Sequence, residues 1–117
     1  MNIEIYRDYC LLKPGVTEGF PFDENTLVFK VQNKMFALTD IEKFVFINLK
    51  CDPERAIELR EGNPGITPGY HMNKALWNSV STDGSVTGPL ILELIDHSYD
   101  LIVASLPNKL REELSRL

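Results

Sequence analysis

Cysteine and histidine are scarce in this chain of 117 residues, two of each, and its seven Gly and seven Pro are too few for a low-complexity tract. Each scarcity excludes something. Cys10 and Cys51 form no CxxC pair, and with only His71 and His97 to add, the spacing of a four-ligand zinc site is missing. No metal and no cofactor is expected. The longest apolar run falls far short of a membrane span, so no membrane association is expected either. The opening residues, Met1 to Asp8, carry acids where an export signal needs a basic flank and an apolar stretch. A cytoplasmic setting with free thiols is expected. Cations are also outnumbered, 12 Lys and Arg against 17 Asp and Glu, giving a net charge of -5. With that balance any basic face is expected to be small and local.

What is present describes a packed domain. Hydrophobic residues make up 44% of the chain, with six Phe, four Tyr and one Trp, too many for a disordered segment. At this length roughly two-thirds of the unfolded surface should be buried on folding, enough for a core without staples. No repeat or linker divides the sequence, so residues 1–117 read as a single domain.

Asn2 is a candidate N-cap, followed by apolar residues at three- and four-residue spacing as far as Lys13-Pro14-Gly15, which reads as a first helix. The pattern then changes to period two. Strands are expected around 17–21, 26–31, 34–39 and 44–50, with a tight turn between Val31 and Lys34 because Asn33 tolerates positive φ. On the last of these, Phe44 and Phe46 should share one face, and Val45, Ile47 and Leu49 the other. One set is thus expected to stay exposed for an interaction. Asp52-Pro53-Glu54 opens a second helix that should end at Gly62. A short extended piece lies among Pro64, Gly65, Pro68 and Gly69, and Ala75 to Ser81 has strand character. Pro89 and Pro107 open two closing helices. The fold class is therefore α+β: an antiparallel sheet of about five or six strands, packed by an N-terminal helix, an inserted helix and a C-terminal helical pair.

Phe20-Pro21-Phe22, Lys34-Met35-Phe36-Ala37, Asn48 to Glu54, Gly69-Tyr70-His71-Met72-Asn73-Lys74 with Trp77-Asn78, and Asp96, Ser98, Tyr99, Leu101 and Ile102 are spaced across nearly the whole chain. In that order they resemble the MmcQ/YjbR family of small bacterial proteins. Gln32-Asn33 departs from it, since the family often has glycine in this turn. The resemblance implies a fold likened both to frataxin and to secretion chaperones, and a proposed double-wing DNA-binding role. The frataxin likeness would call for an acidic stripe on the first helix. Glu4 and Asp8 are diluted there by Arg7 and Lys13, so iron binding is not expected.

The chemistry-bearing residues point to binding, not catalysis. Cys51 near a helix start and His71 would be the only nucleophile and base, yet Asp52 opposes a thiolate, and no enzyme activity is expected. Lys30, Lys34, Lys50 and Lys74 are expected to share the open sheet face, with Phe or Trp beside them. On a 75–81 strand, Asn73, Ala75 and Trp77 would lie on one side. The candidate surface is Lys34, Lys50, His71, Asn73, Lys74 and Trp77, with lysines on phosphates, Trp77 stacking and Asn73 hydrogen bonding. DNA is the named partner. The alternative is a protein-interaction, chaperone-like module using an exposed sheet face, and either a monomer or a homodimer fits.

Overall fold

The structure is a computed structural model that describes residues 1–117. Local signals in the sequence explain most element boundaries. Asn2 accepts the Ile5 N–H on Oδ1 at 2.9 Å and starts α1, Ile3–Leu11, whose Tyr6 and Cys10 are buried one helical turn apart. Strand β1, Val16–Gly19, is followed by β2, Thr26–Val31, and β3, Lys34–Asp40. Gln32 (φ 49°) and Asn33 (φ 66°) both take the left-handed conformation that a two-residue hairpin turn requires. After β4, Phe46–Lys50, Asp52 caps α2, Pro53–Gly62, by accepting the Arg55 N–H at 3.1 Å. Strands β5, Ile66–Pro68, and β6, Trp77–Ser81, precede α3, Gly88–Ala104, and α4, Asn108–Ser115.

The six strands form one antiparallel sheet in the order β1-β2-β3-β4-β6-β5. This is the α+β architecture expected. Leu27, Phe29 and Val31 alternate onto the face that receives the helices, and Ile47, Leu49 and Val80 join them there. From α3, Ile91, Leu94, Ile95, Tyr99 and Ile102 supply the facing stripe, and α4 adds Leu114. An 18-residue core results, while the apolar cluster buried on the opposite face is limited to Val28, Leu38 and Trp77.

A bulge adapts β3 to that core. Pairing runs from Phe29↔Ala37 directly to Lys30↔Met35, so Phe36 is the extra residue and both Phe36 and Ala37 join the helix-side core. The Ser98 hydroxyl of α3 donates to the Phe36 carbonyl at 2.5 Å, and Ser98 Oγ accepts the Lys50 N–H at 2.9 Å. One buried serine thus ties the helix to two strands.

Two expectations need correction. Phe44 is not in β4: its φ is 44°, and its ring lies 5.8 Å from that of Tyr6 on the helix side, whereas Phe46 packs on the other face. The two phenylalanines therefore part company, and Val45 is left exposed at the strand's entrance. Strand β6 begins at Trp77, not Ala75. Asn73 accepts the Ala75 and Leu76 amides on its side chain and the Leu76 and Trp77 amides on its carbonyl, a turn that ends any extended backbone there.

Candidate functional site: a groove on the open face of the sheet

The segment from Gly69 to Leu76 folds over the face that the helices leave free. Three hydrogen bonds in a closed cycle hold it down. The Tyr70 N–H donates to Ser79 Oγ (2.9 Å), the Ser79 hydroxyl donates to Asn48 Oδ1 (2.5 Å), and Asn48 Nδ2 donates to the Tyr70 carbonyl (3.2 Å). Asn48 and Ser79 are buried, and the cycle satisfies both. Gly69 allows the close approach: its N–H donates to the Trp77 carbonyl at 2.8 Å, and a Cβ at this position would sit 2.7 Å from the Trp77 Cβ. Lys74 Nζ donates back to the Gly69 carbonyl at 2.8 Å, and His71 at φ 58° turns the chain toward Met72.

Between this segment and the β2–β3 end of the sheet lies a groove of about 580 Å³. Leu38 and Met72 form part of its lining and also pack with Trp77 beneath. Phe46 and Tyr70 form a corner, with ring centroids 5.8 Å apart and planes 76° to each other, and His71 lies 4.0 Å from Tyr70. The rim is apolar and exposed: Phe22, Tyr70 and Val45 show 63%, 59% and 56% of their surface. Large side chains this exposed around one concavity mark a surface suited to a partner. Charge is supplied by Asp23, Asp40 and Lys43. The Asn25 and Thr26 amides and the Thr26 hydroxyl donate to Asp23 and hold its carboxyl below the usual range, so it is ionised at neutral pH.

The structure separates the six residues singled out from sequence. Lys34 pairs with Val31 in register and therefore points to the helix side, where its Nζ lies 3.5 Å from Ser105 Oγ. The expected four-lysine open face is corrected accordingly. Lys50 and Trp77 are register partners on the open face. Trp77 is only 7% exposed, however, and packs on Val28 and Leu38. Asn73 and Lys74 are engaged in holding the 69–76 segment, and Ala75 does not share a strand face with either Asn73 or Trp77. Only His71 lines the groove. Phe22, Asp40, Phe46, Asn48 and Tyr70 were not among the six, although Phe22, Asn48 and Tyr70 lie in the segments that carry the family resemblance.

Elsewhere, burial pushes the Cys10 thiol up to about 12 and raises that of Cys51, which disfavours a thiolate at either. His97 accepts the Asp52 N–H on Nε2 at 3.2 Å, and burial together with the nearby Arg55 lowers its pKa. No three His, Cys, Asp or Glu side chains converge as a metal site requires. No helix is long and apolar enough to cross a membrane.

The family profile of YjbR matches residues 11–101, which include β1 to β6 and most of α3. The chain belongs to the YjbR family. It is 35% identical to the uncharacterized protein YjbR of Escherichia coli strain K12, over the full length of both chains. It is also 37% identical to the uncharacterized protein YbdF of Escherichia coli O157:H7, covering 91% of this chain and 88% of that one. Among solved structures, a Deinococcus radiodurans protein assigned to domain DUF419 superposes with a TM-score of 0.93 at 42% identity, covering 97% of this chain and 88% of its own. A Pseudomonas syringae protein superposes with a TM-score of 0.74 at 31% identity, covering 86% and 98%. This YjbR-family fold therefore presents a helix-covered face and an open face that carries a groove.

Proposed function

We propose that the protein is a non-enzymatic binding module whose working surface is the open-face groove, and that its partner is a segment of another protein. One observation carries this reading: the concavity is walled by exposed Phe22, Val45 and Tyr70 with Phe46, and carboxylates outnumber ammonium groups in its lining. Protein interfaces are rich in such aromatic anchors. Nucleic acid is the weaker candidate, because the lysines that would neutralise phosphates are divided between two faces and Lys74 is engaged with the Gly69 carbonyl. The observation in favour of DNA is that Lys30 and Lys50 remain on the open face, Lys30 opposite Met35 and Lys50 opposite Trp77.

A side-by-side experiment separates the two. Peptides selected from a random display library are tested against Phe46→Ala and Tyr70→Ala. Duplex and single-stranded DNA are titrated by fluorescence anisotropy at about 50 and 200 mM salt, where phosphate contacts lose affinity steeply. The expected result is peptide binding that both variants abolish, with no salt-sensitive DNA binding. DNA binding lost in Lys30→Ala and Lys50→Ala, with no peptide recovered, would overturn the proposal.

A further inference from the structure

Resting on that reading of the groove, we propose that its specific occupant is an arginine side chain of the partner segment. The guanidinium would be seated in the corner between Phe46 and Tyr70 and faced by Asp40 and Asp23. Three independent features converge on a cation of this shape.

The first is the aromatic corner. Phe46 and Tyr70 meet edge to face with their planes at 76°, both line the groove, and an exposed third ring, Phe22, lines it with them. Ring faces carry the negative end of the quadrupole and attract a cation, and a planar guanidinium can also stack on them. The second is the state of the carboxylates. Asp40 lies on the open face opposite Thr26, and its Oδ1 accepts the Glu42 and Lys43 amides at 2.9 and 3.1 Å. Its Oδ2 has no donor within the protein. Asp23 is ionised, as its three donors require. The third is what does not neutralise them. Lys43 lines the same groove, yet it takes part in none of the three salt bridges, and both cation–π contacts belong to Lys13 on the other side of the molecule. Neither carboxylate of the groove is thus ion-paired within the chain. A purely apolar occupant would strip water from the carboxylates and return nothing, whereas arginine answers both the rings and the acids.

The test is an NMR titration of the full chain, following ¹H–¹⁵N shifts. The probe is a blocked heptapeptide with arginine at its centre and threonine and valine on either side. Two control peptides carry leucine or citrulline, arginine's neutral isostere, at the same place. The expected result is shifts at Asp40, Tyr70, His71 and the Asn48 side-chain amide, with at least tenfold tighter binding of the arginine peptide than of either control. Asp40→Asn keeps an acceptor for the two backbone amides, so the turn survives, and should weaken the arginine peptide about tenfold while leaving the controls unchanged. Lys43→Ala removes the one competing cation and should tighten it. Equal or tighter binding of the leucine or citrulline peptide would overturn the arginine assignment and leave the groove reading standing. Shifts elsewhere, or no binding of the arginine peptide, would overturn the assignment as well, and the display experiment above then judges the groove on its own.

Discussion

The two faces of one sheet, built from alternate residues of the same strands, have been put to opposite uses. Leu27, Phe29 and Val31 of β2 enter an 18-residue core under α1 and α3, while Val28 joins a cluster of three and Lys30 faces the open side. On β4, Ile47 and Leu49 are buried among apolar neighbours, while Asn48 between them is buried in a hydrogen-bond cycle and Phe46 lines the groove. Stability is therefore concentrated on one face. The other is held by a few directional bonds, which leave aromatic rings free for a ligand.

The largest expected effect breaks the covered face. Phe29 is fully buried, with its ring edge-on to Tyr6 at 5.4 Å, and Phe29→Ala should cost about 3–5 kcal/mol in urea unfolding. A loss under about 1 kcal/mol would mean that this core is not where the fold is secured.

Polar ties come next, and they allow the two faces to be compared by the same chemistry. Ser98→Ala leaves the bulged Phe36 carbonyl and the Lys50 N–H unpaired in the interior, with an expected cost of about 1–3 kcal/mol. Ser79→Ala opens the cycle over the groove and should cost a similar amount. Hydrogen exchange distinguishes them. The second variant should speed exchange at Tyr70 and its neighbours while the α3 amides stay protected, because only the 69–76 segment depends on it.

A smaller effect is set by pH. His97 accepts a backbone N–H while Asp52, Arg55, Glu93 and Asp100 surround it, and burial, the largest influence, lowers its pKa in the folded state. Below the unfolded value, near 6.5, the unfolded chain binds the proton more readily, so stability falls as pH drops through that region toward the lowered folded value. Above it the contribution is fully present. His97→Gln, whose side-chain oxygen can accept the same N–H, should flatten urea midpoints measured from pH 8 to pH 5, and an unchanged slope would exclude His97 as its source.

The sequence was most legible where one or two neighbouring residues decide the conformation. Asn2 and Asp52 cap helices with their own side chains, and Asn33 takes the left-handed turn conformation that its chemistry allows. It was least legible where distant partners decide. Phe44 adopts a left-handed conformation while its ring packs beside Tyr6, and the Phe36 bulge is completed by a serine 62 residues away. The candidate site suffers most from this. Phe22, Asp40, Phe46 and Tyr70 come from four separate segments, joined only when the 69–76 turn folds across the sheet. Lys34 was misplaced for a related reason: pairing opposite Val31 at the hairpin commits it to the helix side.

The smallest expected change in stability belongs to Tyr70→Ala, and it sharpens the contrast most. Tyr70 is 59% exposed, and its ring contacts Phe46 and His71 at the surface. The residue's place in the hydrogen-bond cycle is taken by its backbone N–H and carbonyl, which alanine retains. Truncation should therefore shift the urea midpoint by no more than about 0.5 kcal/mol while leaving the 69–76 exchange pattern intact. Peptide binding should be lost all the same, since one wall of the aromatic corner is gone. A variant that kept its affinity would move the working surface off this corner. One that unfolded would show that the open face supports the fold after all, which the separation of duties between the two faces forbids.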